Sequence, residues 1–128
     1  MKKTILVVDD YTSIRQLICE TLERRGYFTL RASNGNEAFQ VLNEHAKEVS
    51  LVVSDYMMPE CNGFELLQKI KANPVVASVP VIFLTAEKSP DKMRAAKKAG
   101  LDAWISKPYR VESFFAQIEM ALSVDDNE

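Results

Sequence analysis

Five short apolar runs, each followed by a stretch with helical spacing, constrain this chain more than any other feature of its sequence. The first run, residues 5–8, is continuously apolar, the pattern of a strand buried on both faces. Ile14, Leu17, Ile18, Thr21, Leu22 and Arg25 then recur at helical intervals, with Arg15, Gln16, Glu20, Glu23 and Arg24 on the other side. Thr12 or Ser13 is placed to cap this helix, and Gly26 to stop it. A second strand is predicted over 27–32, a turn at 33–36, and a helix over 37–46 that buries Ala38, Val41 and Leu42. A third strand over 50–54 leads through a loop with Pro59 and Gly63 to a helix carrying Phe64, Leu67 and Ile70, ended by Pro74. A fourth strand over 79–84 precedes a helix that starts at Ser89-Pro90 and stops at Gly100. The fifth strand, 102–106, precedes a helix over 111–122 with Phe114 or Phe115, Ile118 and Leu122 inward, and residues 123–128 form a frayed acidic tail. Strands alternating with helices in this way predict an α/β fold, a doubly wound parallel sheet with helices on both faces.

In such sheets the functional crevice lies beyond the carboxyl ends of the strands. The polar residues fall there. Asp9 and Asp10 follow the first strand, Asp55 closes the third, Thr85 follows the fourth, and Lys107 with Pro108 follows the fifth. Alone, each is an ordinary cap, turn or loop residue. Together they bring three carboxylates, a hydroxyl and an ammonium to one sheet edge. Crowded acids repel unless a cation sits among them, and oxygen ligands of this kind suit a hard divalent ion such as Mg²⁺. A carboxylate beside such an ion can act as a nucleophile and form an acyl phosphate.

Composition narrows the alternatives. The chain has 128 residues, 47% hydrophobic and 27% charged, which predicts one domain over 1–128 with a core of about 4–122. A net charge of -2 gives no electrostatic basis for binding nucleic acid. The single histidine, His45, and the two cysteines, Cys19 and Cys61, are too scattered for structural zinc. The cysteines are expected to be reduced thiols, and His45 a surface residue without a role. The apolar run after Met1-Lys2-Lys3 is too short for a signal peptide and ends in acid. No membrane insertion is expected, and the predicted location is cytoplasmic.

The segments Ile5-Leu6-Val7-Val8-Asp9-Asp10, Ser54-Asp55-Tyr56-Met57-Met58-Pro59, Asn62-Gly63, Leu84-Thr85-Ala86 and Lys107-Pro108, in this order and at these spacings, closely resemble the receiver domain of bacterial two-component response regulators. The likeness is nearest to stand-alone receivers of the chemotaxis type and covers about residues 4–122. It implies a flavodoxin-like (βα)5 sheet of strand order 2-1-3-4-5. It implies that Asp55 is the phosphoacceptor, that Asp10 binds Mg²⁺ directly and Asp9 mainly through water, and that the backbone carbonyl of Met57 is a further ligand. Thr85 would hydrogen-bond the phosphoryl oxygen, Lys107 would pair with it, and the Lys107-Pro108 bond would be cis. The phosphodonor would be a histidine kinase or a phosphotransfer protein.

The family's usual Tyr or Phe in the fifth strand is Trp104 here, a departure. Trp104 either turns inward on activation, stays outward as a binding anchor, or is simply a partly buried strand residue. Met57 cannot position an attacking water by hydrogen bonding whereas Glu87 can, which predicts slow to intermediate self-dephosphorylation. The output surface is expected where the fourth helix, fifth strand and fifth helix meet, because Lys88, Lys92, Arg94, Lys97, Lys98, Trp104 and Arg110 cluster there. No output domain is expected within these residues, so the signal would pass to a protein target. The chain is not expected to be an enzyme beyond catalysing its own phosphorylation and dephosphorylation. A phosphatase lacks its second acid at Met57, a nucleotide-binding module lacks its glycine-rich loop after the first strand, and a degenerate receiver acting only as an interaction module is the remaining alternative.

Overall fold

The computed structural model describes residues 3–126. Its strands are β1 (Thr4–Val8), β2 (Phe28–Ala32), β3 (Val49–Ser54), β4 (Val81–Thr85) and β5 (Ala103–Ser106). They form one parallel sheet in the order β2-β1-β3-β4-β5. The helices are α1 (Thr12–Arg24), α2 (Gly35–Glu44), α3 (Gly63–Ala72), α4 (Pro90–Lys98) and α5 (Val111–Asp126). Among the described residues, no helix is long and apolar enough to cross a membrane.

Strand side chains alternate between faces, and each face has its own core. Ile5, Val7, Leu51, Val53, Ile82 and Leu84 pack with Ile18 and Leu22 of α1 and Phe114 and Ile118 of α5. Leu6, Val8, Val52, Val81 and Phe83 pack with Ala38 and Leu42 of α2, Leu66, Leu67 and Ile70 of α3, and Ala96 of α4. The strand order reverses direction at β1, so β1 and β3 meet at the switch point where a crevice must open.

Several local expectations are corrected. Neither Thr12 nor Ser13 caps α1: the N-cap is Tyr11, without a side-chain cap. Asp9 instead tethers the residue that precedes the helix, its Oδ1 accepting from the Tyr11 N–H at 2.9 Å. Leu17 is 55% exposed and Arg25 is exposed, while Cys19 is fully buried in the inward stripe. The α1 stripe is thus centred on Ile18, Cys19 and Leu22, and the Arg25 guanidinium lies 4.0 Å over the ring of Phe115.

The predicted turn at 33–36 is half helix, because Asn34 caps α2 by accepting from the Glu37 N–H. β4 starts at Val81, after Pro80, and includes Thr85 as its last residue. The final helix runs past Leu122 to Asp126, so most of the expected tail is helical, and the Ser123 hydroxyl donates to the Met120 carbonyl at 2.9 Å. The rest of that tail, residues 127–128, and the N-terminal Met1 and Lys2 lie outside the described residues.

Candidate functional site

Ladder hydrogen bonds carry Asp9 and Asp55 to the sheet edge. The Asp9 N–H donates to Ala32 at 3.2 Å and the Asp55 N–H donates to Val8 at 2.9 Å, so the ends of β1, β2 and β3 are locked level. Carboxylate oxygens of Asp9, Asp10 and Asp55 all lie within 4.8 Å of one another. Lys107, at the end of β5, is tied to β4 by its N–H donating to the Thr85 carbonyl at 2.9 Å. Its Nζ reaches across to Asp9 Oδ2 at 3.5 Å and Asp55 Oδ2 at 3.7 Å. The Lys107-Pro108 peptide is cis. Thr85 is fully buried, and its hydroxyl oxygen accepts from the Glu87 N–H at 3.2 Å. Met57 lies in the loop after β3, its N–H donating to Asp55 Oδ1 at 3.2 Å, and its side chain is exposed. A cleft of about 680 Å³ opens over these groups, lined by Asp10, Asp55, Met57, Glu87, Lys92 and Lys107 among others.

The electrostatics are lopsided. Among the described residues, Lys107 is the one cation at ion-pair distance from these three acids. Burial pushes the Asp9 carboxyl above its ordinary range; the Tyr11 amide and Lys107 pull it back, and Asp55 and Asp10 push it up again. Asp9 Oδ2 and Asp10 Oδ1 are buried oxygens without a hydrogen-bond donor. Orphaned acceptors are rare in folded proteins, and an all-oxygen, acid-rich set with orphans fits a hard divalent cation.

Above the acids, Glu87 Oε1 and Lys92 Nζ form an ion pair at 2.5 Å, which holds the Glu87 carboxyl below its ordinary range and raises Lys92. The Lys92 ammonium also sits 5.3 Å over the ring of Tyr56. Tyr56, Phe83 and Trp104 form an aromatic triangle with centroid separations of 5.8, 5.6 and 5.6 Å. Trp104 is therefore the partly buried strand residue of the three alternatives, packed on its inner side against Tyr56 and Phe83. The reason is register: Trp104 pairs with Phe83 across β4 and β5 and shares its face of the sheet. Its indole Nε1 is buried with no hydrogen-bond partner.

The sequence reading missed Tyr56 as a packing partner of Trp104, and missed the role of Gly63. A Cβ on Gly63 would lie 2.5 Å from the Asp55 carbonyl oxygen, so only glycine lets α3 start against the acid-bearing strand end. The Asn62-Gly63 pair was the available signal, and Asn62 does close a capping box with Glu65.

The remaining singled-out residues lie apart. The His45 Nδ1 lies 3.3 Å from Glu48 Oε1 just beyond α2. Cys19 and Cys61 are free and buried, and burial raises both thiols, which makes them poor nucleophiles.

Comparison with known proteins agrees with this geometry. Residues 5–119 match the family model of the response regulator receiver domain. The chemotaxis protein CheY1 of Helicobacter pylori is 34% identical over 123 residues, which span 95% of this chain and 98% of CheY1. The phosphate regulon transcriptional regulatory protein PhoB of Pseudomonas aeruginosa is 33% identical over 120 residues, 94% of this chain but 52% of PhoB. The solved structure of the Vibrio cholerae chemotaxis protein CheY4 superposes with a TM-score of 0.87 at 30% identity, covering 95% of this chain and all of that one. With its strand order, its acid cluster and a family match across nearly its whole length, the chain belongs to the receiver domains of two-component response regulators.

Proposed function

We propose that this receiver accepts a phosphoryl group on Asp55 and signals by binding another protein in the phosphorylated form. The observation that carries the reading is the cluster of Asp9, Asp10 and Asp55 within 4.8 Å, with Lys107 Nζ 3.7 Å from Asp55 Oδ2. Asp9, Asp10, Asp55 and the backbone carbonyl of Met57 would hold Mg²⁺. When bound, Mg²⁺ neutralises the acid cluster and the incoming phosphoryl charge.

Asp55 supplies the nucleophilic oxygen. The Oδ–P bond forms as the bond from phosphorus to the donor's imidazole nitrogen breaks; that nitrogen keeps the electron pair, and the ring leaves as a neutral imidazole with its proton on the other nitrogen. Lys107 pairs with the phosphoryl oxygens. The Thr85 hydroxyl oxygen accepts from Glu87, which leaves its hydrogen to donate to a phosphoryl oxygen. Glu87, facing the cleft, is the group placed to orient water during hydrolysis, although its pairing with Lys92 restrains it.

The donor would be a histidine kinase or a phosphotransfer protein. The output would leave by the face of α4, β5 and α5, where Lys88, Arg94, Lys97, Lys98 and Arg110 are exposed. No member of the site set is missing, so no observation favours a degenerate receiver that works without phosphorylation.

Intact-mass spectrometry after incubation with a small phosphodonor and Mg²⁺ tests the reading. The wild type is expected to gain one phosphoryl group and Asp55→Asn none. A phosphorylated Asp55→Asn protein would assign the acceptor elsewhere.

A further inference from the structure

We infer that Gly35, the first residue of α2 and outside the acid cluster, is a positioning residue for the cation site, because it fastens the far end of the loop that carries Met57. This inference rests on the assignment of Mg²⁺ to the acid cluster and the Met57 carbonyl.

The loop between Asp55 and Gly63 is pinned at both ends. At the near end, the Met57 N–H donates to Asp55 Oδ1 at 3.2 Å, and the Gly63 N–H donates to the Tyr56 carbonyl at 2.9 Å. At the far end, the Gly35 N–H donates to the Cys61 carbonyl at 3.0 Å. The approach there is so close that a Cβ on Gly35 would lie 2.5 Å from Cys61 Sγ, 2.7 Å from its carbonyl oxygen and 2.9 Å from its Cβ. Real Cβ atoms do not come that near backbone, so any side chain at 35 must push Cys61 away. The Asn34 amide adds a second tie, 3.3 Å from Glu60 Oε2.

The loop is poorly able to absorb such a push. Pro59 fixes its own φ, the Cys61 N–H donates back to the Pro59 carbonyl at 2.7 Å, and Glu60 holds a left-handed φ of 66°, a costly conformation for a residue with a side chain. A displacement at Cys61 therefore travels through a stiff segment toward Met57. Nothing in the turn itself needs glycine: Gly35 is the first residue of α2, where alanine is a better helix former. The contact with Cys61 is the constraint.

The test uses isothermal calorimetry of Mg²⁺ alone at a temperature well below unfolding, together with maleimide labelling of Cys61. Gly35→Ala is expected to raise the Mg²⁺ dissociation constant at least ~5-fold, since second-layer changes around a metal site commonly cost about 10-fold or more. It is also expected to speed labelling of Cys61, which is 3% exposed in the wild type, without speeding that of fully buried Cys19. A role confined to stability would lower the melting temperature and leave the Mg²⁺ constant alone; a constant within about twofold of wild type overturns the inference. If Gly35→Ala does not fold, Asn34→Ser carries the test. Serine keeps the cap of α2 but has no amide for Glu60, and a weakening of roughly 2–3-fold is expected. An unchanged constant there overturns the inference as well. A wild type that does not bind Mg²⁺ at all fails the site assignment itself, a result distinct from either variant's.

Discussion

Asp9 is fully buried, faces two other carboxylates and has one lysine within ion-pair distance, yet one of its oxygens lacks a hydrogen-bond donor. Its folded pKa lies above its unfolded one, so the fold binds its proton more tightly than the unfolded chain does. The ionised fold is thus penalised above the folded pKa, and the penalty disappears as pH falls toward the ordinary carboxylate range. Acidification through that window should stabilise the metal-free protein through this group and weaken cation capture. Asp9→Asn should accordingly raise the melting temperature in chelator by roughly 4 °C, about 1 kcal/mol, while weakening Mg²⁺ binding. A variant that melts lower than wild type in chelator would show that the Lys107 pair outweighs the crowding. Which residues are acids was legible, because a carboxylate after a strand is a local feature. The side taken by Trp104 was not, because it depends on Phe83 and Tyr56, which are far away in sequence.

At the scale of elements, the strand ends were legible because short apolar runs dictate buried parallel strands. Helix faces were less so. Leu17 reads as inward by spacing but is exposed, because α1 contacts the sheet through Ile18, Cys19 and Leu22. The helix starts matter most to the site. The capping box of α3 joins Asn62 and Glu65 in two reciprocal hydrogen bonds of 3.0 and 2.9 Å, at the end of the loop that carries Met57. Asn62→Ala removes the side-chain half and should cost about 1 kcal/mol in urea unfolding at unchanged m. A loss below about 0.3 kcal/mol would mean that the glycine contact at 63, not the cap, sets where α3 begins.

For the whole molecule, the two cores hold the sheet from both faces, and the acid cluster opposes them with uncompensated charge. Anything that binds only the folded state adds RT ln(1 + [L]/Kd), about 2.7 kcal/mol at a hundredfold excess over Kd. The midpoint of unfolding should therefore rise with Mg²⁺ and stay flat with a monovalent salt of equal ionic strength. Asp10→Asn should shrink that rise. A rise of equal size in the variant would place the cation elsewhere.

Strand order has a further consequence, for synthesis on the ribosome. β1 is made first but sits between β2 and β3, and its full hydrogen bonding needs residues as late as Ser54. A nascent chain cut before that point carries a bare apolar strand edge, ready to pair with any other strand it meets. Termination products that end before Ser54 should therefore aggregate rather than fold in part.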